Sequence, residues 1–254
     1  MTTVPPSKGR PRQGSARERS AAFRAAQRRA QRRRRALIWV AAVLVVAAAA
    51  AGITVAVRSG SKHASAQAPS DVATSVLTGP AGPEGVVLEQ GPLLAPASTA
   101  ATGQTVDGIQ CNATEQVAYH IHAHLTVYVN GALRPIPAGV GIVMPVAQQT
   151  ANGAFYSASN CYYWLHVHAQ DGVIHVESPN RNSYTLGQFF AIWKQPLTTT
   201  QIGPATGALT VFVNGTRYTG NPADIALTPH EDIQVDVGTP VVAAQRVDWS
   251  KSQL

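Results

Sequence analysis

The sequence predicts a mainly β protein, a β-sandwich or small barrel with one short α-helix, preceded by a single transmembrane helix. Three observations predict this class. Strand-like alternation with Asn-Gly and Asp-Gly turns dominates residues 105–254, one segment there has helical periodicity, and residues 36–57 are uncharged and apolar. We therefore divide the chain into a basic cytoplasmic tail (1–35), a transmembrane helix (36–57), a linker (58–104) and an extracytoplasmic domain (105–254).

The positive charge of the chain is concentrated at its N-terminus. Residues 1–35 hold 12 of the 20 Lys and Arg residues and one of the 13 acidic residues. Eight basic and twelve acidic residues remain, so the rest of the chain carries a net charge of −4 although the whole carries +7. Because no basic fold or groove follows the tail, nucleic acid is excluded as a partner, and we expect the arginines to lie against anionic lipid.

The apolar run 36–57 is long enough to cross a bilayer. Its 22 residues would span roughly 33 Å as a helix, compared with a hydrocarbon core of about 30 Å. The arginines at 32–35 precede it, so the positive-inside rule places the N-terminus in the cytoplasm and the rest outside. An export signal cleaved after Ala66 is the alternative. In either case the domain is exported, and the anchored form is a single-pass cell-membrane protein that contacts membrane lipid through residues 1–57.

Composition predicts a linker, and the location of the two cysteines predicts a disulfide. Residues 58–104 are rich in Ser, Ala, Pro, Gly and Thr and contain few large side chains, which is typical of a linker. Cys111 and Cys161 both lie in the exported part, where a pair of this kind predicts a disulfide. The alternative, that one cysteine binds copper, fits no ligand spacing of a known site.

A strand and its turn occur twice in the domain. LTVYVNG at 125–131 recurs as LTVFVNG at 209–215, with six of seven positions identical. Each copy ends in Asn-Gly, which predicts a hairpin because a type I′ turn needs positive φ at both central residues. The one predicted helix is Leu186–Trp193, since Thr185 is a suitable N-cap and apolar residues recur there at i, i+3, i+4 and i+7.

Six of the eight histidines lie in two strand-like stretches, 119–131 and 164–177. The second stretch reads as a hairpin closed by Asp171-Gly172. A two-residue turn would place residues whose numbers sum to 343 opposite each other, so that His168 faces His175 and His166 faces Glu177. Alternation places all histidines of each stretch on one face and apolar residues on the other.

This arrangement predicts a metal site, because neutral imidazole is the commonest metal-binding side chain and a His-x-His strand holds two rings on one side. The candidate ligands are His120, His122, His124, His166, His168, His175 and Glu177. A site rich in imidazole and free of thiolate suits a divalent transition metal ion, with copper and zinc as the main candidates. Seven candidates exceed one tetrahedral site, so either two sites exist or some of these residues support the ligands.

The second copy of the repeat shows that the strand and turn can be encoded without histidine. Its positions equivalent to the histidines of the first copy are Pro204, Thr206 and Ala208. The strand and turn therefore do not require histidine, which indicates that the histidines have a role other than packing.

The runs CYYWLHxH, GxIHxESP and TLGQFFxxW, between Cys161 and Trp193, resemble an uncharacterised prokaryotic family of membrane-anchored proteins with HxHxH and LHxHxxxGxIHxE motifs. The resemblance covers roughly residues 105–240 and implies no known activity. We expect a membrane-anchored extracytoplasmic metal-binding protein, since nucleophile-elbow, HExxH and phosphate-loop motifs are absent from the sequence. The alternatives are an extracytoplasmic metalloenzyme of hydrolase or oxidase type with a three-histidine or His/Glu site, and an envelope scaffold or adhesion domain whose histidines are incidental.

Overall fold

The computed structural model describes residues 74–254, which form strands, one α-helix and two short 3-10 turns. The strands are β1 (Ser75–Val76), β2 (Cys111–Asn112), β3 (Tyr119–Val129), β4 (Ala132–Leu133), β5 (Ile142–Thr150), β6 (Gly153–Tyr163), β7 (Leu165–His166), β8 (Val173–Ser178), β9 (Gln201–Ile202), β10 (Ala205–Thr206), β11 (Leu209–Val213), β12 (Thr216–Tyr218), β13 (Glu231–Val237) and β14 (Gln245–Arg246). The helix α1 spans Leu186–Trp193. The prediction of a mainly β domain with one short helix is confirmed, and no sheet within 74–254 closes into a barrel.

A seven-stranded sheet forms the centre of the domain, in the order β12-β11-β13-β3-β8-β7, with β4 paired to β3. Strands β13 and β3 are parallel, whereas the other neighbours are antiparallel. Strands β2, β6 and β5 form a separate three-stranded sheet. The two copies of the sequence repeat, on β3 and β11, therefore lie on either side of the same strand, β13.

One face of the central sheet is apolar and packs against α1. On β3, the odd-numbered residues from Ile121 to Val127 are buried in the core together with Phe189 and Trp193 of the helix. The helix begins at a capping box in which Thr185 and Gln188 bond each other's backbone N–H groups, as its sequence predicts. The apolar faces predicted for both histidine strands are thus the core, and the histidine faces point away from it.

Both Asn-Gly hairpins of the repeat form as predicted. Asn130 and Gly131 have φ angles of 51° and 75°, and Asn214 and Gly215 have 51° and 79°. These positive values are those of a type I′ turn, and residues 129 and 132, like 213 and 216, are opposed across it.

The predicted Asp171-Gly172 hairpin is wrong. Strands β7 and β8 pair with Leu165 opposite Val176 and His166 opposite His175, so paired numbers sum to 341 rather than 343, and residues 167–172 form a longer connection. The reason is that this connection bonds to other segments: Val167 bonds with Gly139 and Val140, and the carbonyl of His168 accepts from Tyr156. These contacts take the chain out of the simple hairpin. The shift of two residues leaves every side chain on its predicted face.

Residues 74–104, which the sequence analysis assigns to a linker, pack on the domain. Val86, Leu94 and Ala101 are buried, and the Ala101 amide donates to the carbonyl of Ile192 at the end of α1. The predicted tail 1–35 and transmembrane segment 36–57 lie outside the described residues. Within 74–254 no helix has the length and apolar character needed to cross a bilayer.

The predicted disulfide is present and joins two neighbouring strands of the three-stranded sheet. Cys111 on β2 and Cys161 on β6 are bonded, with Cα atoms 5.4 Å apart and a sequence separation of 50. The disulfide links the start of the loop before β3 to β6, the strand that precedes β7. The segments that lead into both histidine strands are therefore covalently joined.

Replacing both cysteines by serine should therefore lower stability by about 4 kcal/mol, because the unfolded chain regains the entropy of a 50-residue loop. Urea unfolding of the oxidised protein and of the double variant measures this difference. Equal midpoints would show that the cross-link does not restrain the unfolded chain.

Candidate metal centre

Pairing across three strands brings the histidines into rows. His122 on β3 is opposite His175 on β8, and His175 is opposite His166 on β7. One row further along, His120 on β3 is opposite Glu177 on β8. Directly paired residues point to the same face of a sheet, so these five side chains share the polar face opposite the core.

Four of the predicted ligands converge and form what we call the inner group: His166, His168, His175 and Glu177. Their potential ligand atoms all lie within 4.8 Å of one another. All four residues are buried, with exposures of 0–3%. Three come from β7 and β8, whereas His168 comes from the connection between those strands, where the Phe155 ring stacks on it at 4.3 Å.

Two backbone carbonyls fix the orientation of His166 and His168. Nδ1 of His166 lies 2.8 Å from the carbonyl oxygen of Tyr163, and Nδ1 of His168 lies 2.6 Å from that of Tyr156. A carbonyl oxygen only accepts hydrogen bonds, so each Nδ1 carries the proton. Burial, followed by repulsion from neighbouring imidazoles, holds the pKa of His166 well below its usual range and lowers the pKa of His168 to about 4. Both rings are therefore neutral, and each Nε2 has a free lone pair.

These two lone pairs face each other. Nε2 of His166 and Nε2 of His168 are 2.9 Å apart. Two neutral rings that donate through Nδ1 have no proton to share at this contact, so the pair is repulsive unless a cation binds both atoms. Metal–imidazole bonds are about 2.0–2.1 Å long, and two such bonds at a right angle place their nitrogens about 2.9 Å apart. The spacing is therefore that of two ligands of one ion.

His175 is held between two buried carboxylates. Its Nε2 is 2.8 Å from Oε1 of Glu84, and its Nδ1 is 3.6 Å from Oε1 of Glu177, but neither ring nitrogen has the geometry of a hydrogen bond. Burial alone would lower the pKa of His175, but the charges of Glu84 and Glu177 raise it to about 10. In return, the attraction of His175 outweighs burial at Glu84 and lowers the pKa of that carboxyl.

A second set, the outer group, comprises His120, His122 and His175, whose ligand atoms also lie within 4.8 Å of one another. Its His120 is the exposed member: the side chain is 39% accessible and its Nε2 lies 2.9 Å from Oε1 of Glu177. The Nε2 atom of His122 is buried and unpartnered. Burial and the nearby imidazoles lower the pKa of His122 to about 2, so this ring is also neutral.

The seventh predicted ligand, His124, belongs to neither group. Its Nε2 is 3.8 Å from Oε1 of Glu89, and its Nδ1 is 3.3 Å from the hydroxyl of Thr126. Burial raises the pKa of both Glu89 and nearby Asp171 to about 8, so these carboxyls are largely protonated at neutral pH. This region is a buried polar cluster beside the metal centre rather than a set of converging ligands.

Unpartnered buried atoms concentrate around the two groups. Among residues 74–254, nine buried side-chain nitrogen or oxygen atoms have no hydrogen-bond partner. They belong to Glu84, Glu89, His122, His124, Asp171, His175 and Glu177. Native proteins satisfy nearly all buried polar groups, so such a concentration at one place indicates a region arranged for a ligand.

Sequence reasoning missed two acidic residues of the centre. Glu84 lies in the segment assigned to a linker, and Glu115, in the loop before β3, has its Oε1 3.5 Å from Nε2 of His168. One signal was present: residues 58–104 contain only three acidic residues, and two of them, Glu84 and Glu89, are next to the apolar run 86–88.

The glycine of the Asp171-Gly172 pair matters for the site even though the predicted hairpin does not form. Gly172 has a φ of 75°, and a Cβ there would lie 2.5 Å from the Leu125 carbonyl oxygen and 2.9 Å from Nε2 of His124. Gly108 has a similar φ of 79° but nothing within 4 Å of such a Cβ. An added Cβ would therefore meet the same backbone strain at both glycines, but only at Gly172 would it also overlap with neighbouring atoms.

Gly108→Ala should cost about 1 kcal/mol of stability from backbone strain, and Gly172→Ala should cost about 2 kcal/mol more because of the overlap. Urea unfolding of the two variants measures the difference. Equal losses would mean that the connection 167–172 shifts freely away from β3.

Comparison of the chain with protein-family models, with curated proteins and with solved structures finds no match in any of the three. The fold and the ligand geometry therefore carry the functional conclusion.

Proposed function

We propose that this chain is a membrane-anchored, extracytoplasmic metal-binding protein that holds one divalent zinc or copper ion at the inner group. The observation that carries the proposal is the 2.9 Å contact between the free Nε2 atoms of His166 and His168. Ligating histidines commonly donate their other ring N–H to a backbone carbonyl, as both of these do. The two rings are thus oriented before any ion arrives.

The set of donors selects the kind of ion. Three imidazoles and one carboxylate suit both zinc and divalent copper. The 2.9 Å between the Nε2 atoms of His166 and His168 fits the right angles of a tetragonal copper site, whereas a tetrahedral zinc site needs about 3.3 Å. Both cysteines are in the disulfide, and Met144 is 65% exposed on β5, so within residues 74–254 no sulfur donor supports monovalent copper at the buried inner group. Glu84 lies 2.8 Å from Nε2 of His175 and places a negative charge beside that ring.

Charge balance supports a single dication. Glu84 and Glu177 are buried carboxylates with lowered pKa values, which the attraction of His175 and, for Glu177, His120 sustains against burial. Together they carry two negative charges in a region that excludes water. One divalent ion that replaces the proton on His175 neutralises both of them.

The closed environment supports binding rather than catalysis. The inner-group residues are at most 3% exposed. Five cavities of 270 to 520 Å³ between residues 74 and 254 have no histidine in their walls. A metalloenzyme needs an open coordination position that a substrate reaches, so the metalloenzyme alternative has less support.

Location outside the cytoplasm is supported by two features of different kinds. The disulfide between Cys111 and Cys161 is typical of an oxidising compartment. The basic tail and the apolar run 36–57 favour an anchor whose C-terminal side is exported, with lipid contacts through residues 1–57.

Full-length protein purified without a histidine tag should contain about one equivalent of zinc or copper by elemental analysis.

His166→Asn and His168→Asn should each weaken metal binding more than about 100-fold, since a lost ligand costs at least as much as a lost supporting residue. The fold should persist because the core is on the opposite face of the strands. His230→Asn is the matched control, because His230 stacks on Trp249 at 4.6 Å and belongs to neither group. Equal affinity in all four proteins would refute the proposal.

The pKa values predict how binding responds to pH. Around pH 7 only His175 of the inner group carries an extra proton, because its pKa is raised to about 10 while those of His166 and His168 are lowered. Binding should therefore release about one proton per ion, and apparent affinity should rise about tenfold per pH unit from pH 6 to 9. Calorimetry in buffers of different ionisation enthalpy counts the protons. Release of three or more would mean that the other rings are charged before binding.

A further inference from the structure

The two groups share a residue and differ in their access to water. His175 belongs to both, so an ion held by the outer group is already in contact with a ligand of the inner group. The inner group is closed, whereas His120 of the outer group is 39% accessible through its side chain. An ion that reaches the inner group therefore has a chain of donors available from the surface.

Glu115 provides a second exposed donor beside the inner group. It lies in the loop between β2 and β3, its side chain is 36% accessible, and its Oε1 is 3.5 Å from Nε2 of His168. His120 makes a corresponding contact with another member of the inner group, at 2.9 Å from Oε1 of Glu177. Each of these two exposed residues thus touches one ligand of the inner group.

We infer that Glu115 and His120 form the mouth of the metal centre, through which a divalent cation passes by way of His122 and His175 to the inner group. This inference rests on the proposed function. The acidic and imidazole donors replace the hydration shell of the ion one ligand at a time. A bare divalent ion cannot cross a dry region, because the cost of removing its water is prohibitive. Exchange between neighbouring donors avoids that step.

The alternative use of the outer group is a second, permanent ion. Two dications on one shared imidazole would repel strongly, at several kcal/mol even for an effective dielectric constant of about 20. Glu84 and Glu177 balance only one of them, and Glu115, the remaining carboxylate in contact with the inner group, adds a single charge where a second dication needs two. The charges on the described residues therefore favour a single ion that occupies first the outer group and then the inner group, rather than two ions bound at the same time.

The test compares rates rather than affinities, using Co²⁺ and Zn²⁺ with full-length protein. A residue that acts only along the path lowers the barrier in both directions, so Glu115→Gln and His120→Asn should each slow association and chelator-driven release. We expect about a tenfold decrease in both rates, equivalent to about 1.4 kcal/mol of barrier. The ratio of the two rates, and hence the affinity, should change much less. Both substituted residues are exposed, so the variants should fold.

His230→Asn, an exposed histidine outside both groups, should leave both rates unchanged, and His166→Asn should instead lower affinity. Unchanged rates in Glu115→Gln and His120→Asn would overturn the inference, as would two bound ions in the wild type that fall to one in His120→Asn. These outcomes leave the proposed function intact, whereas a wild-type protein that binds neither Co²⁺ nor Zn²⁺ would refute the proposed function itself.

Discussion

The candidate metal centre depends on the two different faces of β3 and β8. One face of each strand is fixed in the apolar core against α1, and the other carries the imidazoles and Glu177. Because successive side chains alternate between faces, the polar residues have little freedom to move without disturbing the core. The site is therefore built on strands that are held in the core, and the ring positions on those strands are set by strand pairing before any ligand binds. Only His168, in the connection between β7 and β8, relies on hydrogen bonds to neighbouring segments for its position.

This rigidity has an energetic cost to the metal-free protein. Each buried polar group without a partner costs on the order of 1–3 kcal/mol. Of the nine such side-chain atoms, five belong to His122, His175, Glu84 and Glu177, and the other four to the adjoining cluster of Glu89, His124 and Asp171. The repulsion between the lone pairs of His166 and His168 adds to this cost. An ion that binds these atoms removes much of the penalty, so ion binding and folding are coupled. Protonation of His175, Glu89 and Asp171 removes part of it in the absence of metal.

The sequence was informative where local rules govern and silent where distant segments decide. The faces of the histidine strands, the Asn-Gly turns, the capped helix and the disulfide follow from alternation, turn chemistry and compartment. The register of β7 and β8 could not be predicted by such rules, because Gly139, Val140 and Tyr156 form hydrogen bonds with the connection between the two strands. The faces survived this error because a shift of two residues preserves alternation. Glu115 could not be identified, since nothing local indicates that a short loop will fold over a strand face, and for Glu84 the one signal was its position beside the apolar run 86–88.

The repeat on β3 and β11 has a consequence for how such a site arises. The two copies flank β13 and run in opposite directions, but β3 begins at Tyr119, whereas β11 begins at Leu209, the residue equivalent in the sequence repeat to Leu125. The three histidines of β3 occupy this extension, and β13 pairs with β3 only from Ala123 onward. The metal-binding part of the strand therefore lies outside the duplicated unit, at the end of the sheet. The extension can therefore exchange its donor residues without altering the repeated strand and turn, since the second copy folds with Pro204, Thr206 and Ala208 in place of the histidines.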